Sequence, residues 1–335
     1  MTNTTLTAIQ GIAVGHAALP NEPSGCTVIL PQGGAIAAVD IRGGAPGTYG
    51  TDTLNPVNLV DRIHGLFFTG GSAFGLSVAD GLRQFLKERN IGFNSGRGLI
   101  PIVAGAVIFD LGLNRSDSYP DACLGYAACQ NASFRPVAEG CVGAGLGATV
   151  GKLYDLDCAM KSGLGSAFIR AESGVEVGAL IVVNAFGDIV DPALGRPIAG
   201  CRKNALSHEL IDSDREMQRL LKVRAFLDGQ QTVVGVVATN VWLNKTQLTK
   251  VAQMAHDGLA RTVYPAHTLY DGDTLFALSC GEMDAVEVSV VGALAAAATA
   301  EAILRAVWNA RSLGSLPSYR DLQVHSKRSE QDVVE

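Results

Sequence analysis

The chain has 335 residues with 26 Lys and Arg against 32 Asp and Glu, a formal charge of -6. That leaves no basic face to neutralise a phosphate backbone and excludes nucleic acid as a main partner. Charged residues are 17% and apolar residues 47% of the chain, too few charges for a disordered protein. Glycine, at 39 of 335 against a norm of about 7%, signals many tight turns without the strict period of collagen.

In chain order, the first segment lacks Lys and Arg before Arg42, so it has no basic n-region of a signal peptide, and a cytoplasmic address is the expectation. Short apolar runs bounded by Gly, Asn and Pro read as buried strands over residues 26–30, 35–41, 100–109 and 178–184. Between them, helical spacing marks 72–89, with Phe74, Val78, Leu82, Phe85 and Leu86 on one face, and 120–129. Residues 204–231 turn polar and charge-rich and read as one peripheral helix ending at Asp228-Gly229. The nearly all-apolar run 232–241 follows as a strand, then helices over 245–259 and 290–308. The apolar run at 288–300 is shorter than the roughly 18 residues that suggest a membrane span. Residues 313–335 are polar and aperiodic and read as an extended or disordered arm. No linker divides the chain, so residues 1–335 are expected to form a single domain.

Common catalytic motifs are lacking: no strand-to-helix GxGxxG, no P-loop, no GxSxG and no HExxH. The seven cysteines are scattered without a CxxC pair and read as reduced, small core residues. The six histidines show no ligand spacing, and His256 and His267 read as helix-surface and loop residues. The glycine doublets Gly43-Gly44 and Gly70-Gly71 read as packing turns.

One junction stands out. The polar segment ends in Asp-Gly-Gln-Gln and delivers Thr232 to the edge of a buried strand. That arrangement suits a hydroxyl that attacks its own preceding carbonyl and frees an α-amine, whose reference pKa of about 7.7–8 lets it act as the nucleophile's base. Taken alone, Thr232 would be a β-favouring residue.

The block from Gln231 to Ser279, together with GCTVIL, AAVDIRGGAPGT, FTGGSAFGL, IPIVAGAVIFDLG, YPDACLGYAA, GAGLGATVGK and VNAFGDIVD upstream, resembles the self-cleaving N-terminal-nucleophile hydrolases. That family includes L-aminopeptidase/D-esterase, β-peptidyl aminopeptidases, a pantetheine hydrolase and the endo-acting nylon-oligomer hydrolase. The resemblance runs from about residue 10 to 312 and implies an α+β fold, a four-layer αββα sandwich, cut into fragments 1–231 and 232–335. It implies cleavage between Gln231 and Thr232, with Gln where relatives carry Asn or Gly, and Thr232 as nucleophile. Asn184 matches an oxyanion-hole amide, Lys152 a lysine that stabilises the Thr alkoxide, and Asp271 and Asp273 an acidic pair that orients amine and lysine.

Phe109 stands where several relatives have a Tyr, and Val107 where relatives removing single N-terminal residues carry an amine-binding Glu. The resemblance therefore implies an amidohydrolase acting on small peptides or linear amide oligomers through an acyl-threonine, with no metal or cofactor, in a homotetramer or larger assembly. The alternatives are an aminopeptidase/D-esterase of the same family, an N-acyltransferase of the ornithine-acetyltransferase type, or an unprocessed ligand-binding scaffold.

Overall fold

A computed structural model describes residues 2–113, 116–220, 231–284 and 286–323. Two sheets lie face to face, each covered outside by a pair of helices, giving the αββα order. The first sheet runs Ile12–Ala18, Gly25–Pro31, Gly65–Thr69, Val103–Val107 and Thr48–Tyr49. The second runs Leu164–Arg170, Glu176–Asn184, Thr232–Val241, Thr274–Met283, Ala35–Ile41 and Arg62–Ile63.

The all-apolar run after Thr232 is explained by its place in the second sheet. Successive side chains on a strand point to opposite faces. Val234, Val236 and Ala238 join Leu66, Phe68, Ala104 and Phe276 in the core between the sheets. Val233, Val237 and Val241 face the helices Lys245–Ala260 (α4) and Val288–Trp308 (α5). A strand buried on both faces cannot alternate with polar residues, so Val233 to Ala238 is continuous Val, Gly and Ala.

The outer helices sit close. A Cβ on Gly258 of α4 would fall 2.0 Å from Ala296 O of α5, and one on Gly81 of Val78–Glu88 (α1) 1.8 Å from Ala122 O of Ala122–Gln130 (α2). Only a bare backbone permits these crossings. Helix α4 starts from a capping box, in which Asn244 accepts from Gln247 N and the Gln247 side chain accepts from Asn244 N. Helix α5 is long and apolar enough to cross a membrane by composition alone, yet Val291, Ala295, Ala298, Ala302 and Ala306 are buried against the second sheet.

Several expectations are corrected. The segment 100–109 is two strands, Leu99–Ile100 and Val103–Val107; Pro101 lies between them and has no N–H for a ladder. The helix expected over 72–89 begins as a 3₁₀ turn, Ser72–Ser77, and becomes α-helical at Val78. The single helix expected over 204–231 is absent from its described part. Arg202 and Leu210 form a bridge, and only Ser213–Met217 (α3) is helical. Ile211, Met217 and Leu220 pack against the cluster of Leu153, Phe186 and Cys201 from this irregular backbone. Residues 221–230 lie outside the described residues. Of the arm expected over 313–335, residues 316–318 are buried, and Lys161 N–H donates to Pro317 O at 2.9 Å; residues 324–335 lie outside the description. His256 is fully buried rather than on a helix surface. Cys123 is exposed, unlike the core residue expected, and all seven cysteines are free.

Candidate active site

Strand register gathers the expected residues at one end of the second sheet. Glu176–Asn184 ends where Thr232–Val241 begins, and Asn184 pairs directly with Thr232. On the other side Thr274–Met283 runs parallel, and a bridge pairs Gln231 with Asp271. Thr232, Gln231, Asn184, Lys152, Asp271 and Asp273 are each at most 5% exposed. Burying so many polar groups is costly unless each is paired.

The pairing is dense. Thr232 Oγ1 donates to the carbonyl of Gln231, the residue it follows. That carbonyl also accepts from Gly272 N–H at 3.1 Å. Lys152 is delivered by a turn at Gly151, φ 74°, where a Cβ would fall 1.9 Å from Cys201 N. Gly151 N–H and Lys152 N–H bond to Gly187 O and Phe186 O, which swings the lysine beside Asn184. Its Nζ donates to Asn184 Oδ1 at 2.7 Å and Asn184 O at 3.0 Å. Burial pushes the Lys152 ammonium well below its usual pKa, with the Asp271 charge opposing.

Asn184 also accepts from Thr149 N–H at 3.0 Å, and its Nδ2 donates to Phe109 O at 3.0 Å. The position lacking a tyrosine hydroxyl therefore takes part through its backbone. Val107 is buried, bonded through N–H to Gly47 O at 2.9 Å, and its side chain covers Gly47 so closely that a Cβ there would fall 2.5 Å from it.

The two carboxylates differ. Asp273 Oδ1 accepts from Val233 N–H at 2.9 Å, the amide just after Thr232. Its Oδ2 accepts from His267 N–H at 3.1 Å and pairs with His267 Nδ1 at 2.8 Å. Asp271 accepts from Phe186 N–H at 3.1 Å and from Thr268 Oγ1 at 2.5 Å. Burial raises the Asp271 carboxyl well above the usual carboxylate range, with the nearby Asp273 charge adding to it.

Sequence reasoning missed His267 and Thr268. His267 sits at φ 56°, rare for a residue with a Cβ, and this turn aims both its N–H and its ring at one Asp273 oxygen. Its ring meets that of buried His256 edge-on, with centroids 4.8 Å apart. The legible signal is local: Thr268 precedes Asp271 by three residues, the spacing at which short polar side chains close a turn.

Known proteins resemble this chain over most of its length. The model of peptidase family S58 matches residues 4–318. An uncharacterized aminopeptidase of Mycobacterium tuberculosis is 41% identical over 95% of this chain and 97% of its own length. A 6-aminohexanoate-oligomer endohydrolase of Paenarthrobacter ureafaciens is 32% identical over 88% of this chain and 84% of its own. Among solved structures, a Burkholderia beta-aminopeptidase superposes with a TM-score of 0.72 at 22% identity, covering 98% of this chain and 94% of the other. The L-aminopeptidase D-Ala-esterase/amidase of Ochrobactrum anthropi, described as a variant of the Ntn hydrolase fold, gives 0.69 at 19% identity, over 94% and 88%.

The chain belongs to peptidase family S58. It has the Ntn-type layered fold and is a hydrolase of amide bonds; the acyltransferase alternative is not favoured.

Proposed function

We propose that the chain cuts itself between Gln231 and Thr232 and then hydrolyses small peptides or linear amide oligomers through an ester on Thr232 Oγ1. The observation that carries this reading is the burial of the Thr232 hydroxyl against its own preceding carbonyl, with Lys152, Asn184, Asp271 and Asp273 around it. In the uncut chain the Thr232 nitrogen is an amide and cannot serve as base. Lys152, whose neutral form burial favours, takes the hydroxyl proton in the cut. Afterwards the new α-amine takes over, held by Asp273, which already grips the next amide. Asn184 supplies the oxyanion donor in turnover.

Endo-type action on amides is favoured over removal of single N-terminal residues because Val107, apolar and packed over Gly47, offers no carboxylate for a substrate amine. The aminopeptidase reading is supported by the similarity to the Mycobacterium tuberculosis aminopeptidase at 41% identity. The two are separated by turnover of one oligoamide with its amine free or acetylated. Endo action predicts comparable rates, and loss of all activity on the acetylated form would establish the aminopeptidase. The reading includes a cytoplasmic, symmetric homo-oligomer of tetramer size or larger; light scattering that reports a single unit at micromolar concentration would reject the assembly.

A further inference from the structure

We propose that the backbone N–H of Gly272 is the oxyanion donor of the self-cleavage step; this rests on the reading that Thr232 attacks Gln231. In that step Thr232 Oγ1 forms a bond to the Gln231 carbonyl carbon. The carbonyl oxygen becomes an oxyanion, the C–N bond to Thr232 breaks, and the hydroxyl proton ends on the departing nitrogen. The product is a Gln231 ester, which water opens to a Gln231 carboxylate and a free Thr232 hydroxyl and amine. The barrier depends on donors aimed at the oxygen where charge develops.

Two donors reach that oxygen among the described residues: the attacking Thr232 hydroxyl itself, and Gly272 N–H at 3.1 Å. Asn184 Nδ2, the donor the sequence suggests for turnover, gives one of its two hydrogens to Phe109 O at 3.0 Å.

Position 272 is built for this approach. A Cβ there would fall 2.8 Å from Ala45 O and 2.9 Å from Thr232 Oγ1, so a side chain would press on the nucleophile. The residues on either side are fixed through their side chains, Asp271 to Phe186 N–H and Thr268, Asp273 to Val233 N–H and His267. Their carbonyls are fixed as well: Asp271 O accepts from Ala45 N–H at 2.9 Å and Asp273 O from Arg42 N–H at 3.0 Å. Asp-Gly-Asp thus acts as a clamp that holds one peptide N–H rigid before the scissile carbonyl, without reorganisation during the reaction.

The test replaces Gly272 by glycolic acid, which exchanges this N–H for an ester oxygen and adds no side chain. Self-cleavage of the freshly translated chain is followed on denaturing gels. The expected result is cleavage slowed about 10²- to 10³-fold, the usual effect of losing one oxyanion donor, with near-UV circular dichroism unchanged. Cleavage at the unmodified rate overturns the proposal. If the ester chain does not fold, hydrogen exchange of the Gly272 amide in full-length Thr232→Ala protein decides. Strong protection is expected, and exchange as fast as an exposed loop amide overturns it. If Thr232→Ala is itself cut at Gln231, the underlying reading fails, which is a separate outcome.

Discussion

Two equally buried lysines differ in the side chains they meet. Lys152 and Lys161 are both almost fully buried, and burial lowers the pKa of each. Lys161 Nζ donates to three backbone carbonyls, Gly145 at 3.2 Å, Ala148 at 2.8 Å and Ser162 at 2.6 Å. Those three acceptors are backbone groups, so Lys161 pins loops, while the neighbouring Cys141 thiol and Asp110 charge oppose the effect of burial on its pKa. Lys152 instead meets the side chain of Asn184, opposite Thr232, and feels the Asp271 charge. Burial alone does not mark a catalytic lysine; the chemistry of its partners does.

The largest expected effect follows from that difference. Lys152→Met should slow self-cleavage by about 10³-fold or more, the upper range for a lost general base. Lys161→Met should leave the cut intact in whatever protein folds but lower stability by about 2–4 kcal/mol, the scale of stranding buried carbonyls. Cleavage time courses beside denaturant titrations check both. A Lys161 variant that folds normally and fails to cut would erase the contrast.

Next comes Asn184→Leu in the mature enzyme, expected to cost about 10²- to 10³-fold in kcat as one oxyanion donor. An unchanged kcat would leave Asn184 as only the anchor of Lys152 and Phe109. A smaller effect is expected at His267. Glycine keeps the φ of 56° but removes the ring donor to Asp273, and His267→Gly should lower kcat about 10-fold with KM within twofold. His267→Asn, which tolerates that backbone and restores a donor, should recover most of the loss.

A last effect concerns acid stability. Burial pushes His16 and His256 down to about 4, below the roughly 6.5 of an unfolded histidine. Between those values the unfolded chain takes up protons that the folded one refuses, so stability is held above about pH 6.5 and lost toward pH 4. The slope is at most about 1.4 kcal/mol per pH unit for each histidine. Melting temperatures of His16→Gln and His256→Gln should fall less over that range than those of the unsubstituted chain.

Individual strands and helices were legible as apolar runs and helical spacing, whereas the four-layer arrangement came from the resemblance. Residues 232–241 and 245–259 form the expected strand and helix almost to the residue. The candidate site was legible mainly through resemblance, since Lys152, Asn184, Thr232 and Asp271 come from four separate segments and no spacing links them. His267 was missed because its role depends on a left-handed turn, and neither its type nor its neighbours encode where the ring points. The donor at Gly272 was invisible for a plainer reason: backbone N–H groups are present at almost every position, and only register assigns one to a carbonyl.

The central claim is that Thr232 cuts its own chain. Intact-mass spectrometry of the purified protein, beside Thr232→Ala, tests it most directly. The account predicts two fragments, the smaller beginning at Thr232, and a single uncut mass for the variant. An uncut wild-type chain that still hydrolyses amides, or a variant cut at the same bond at the same rate, would contradict it.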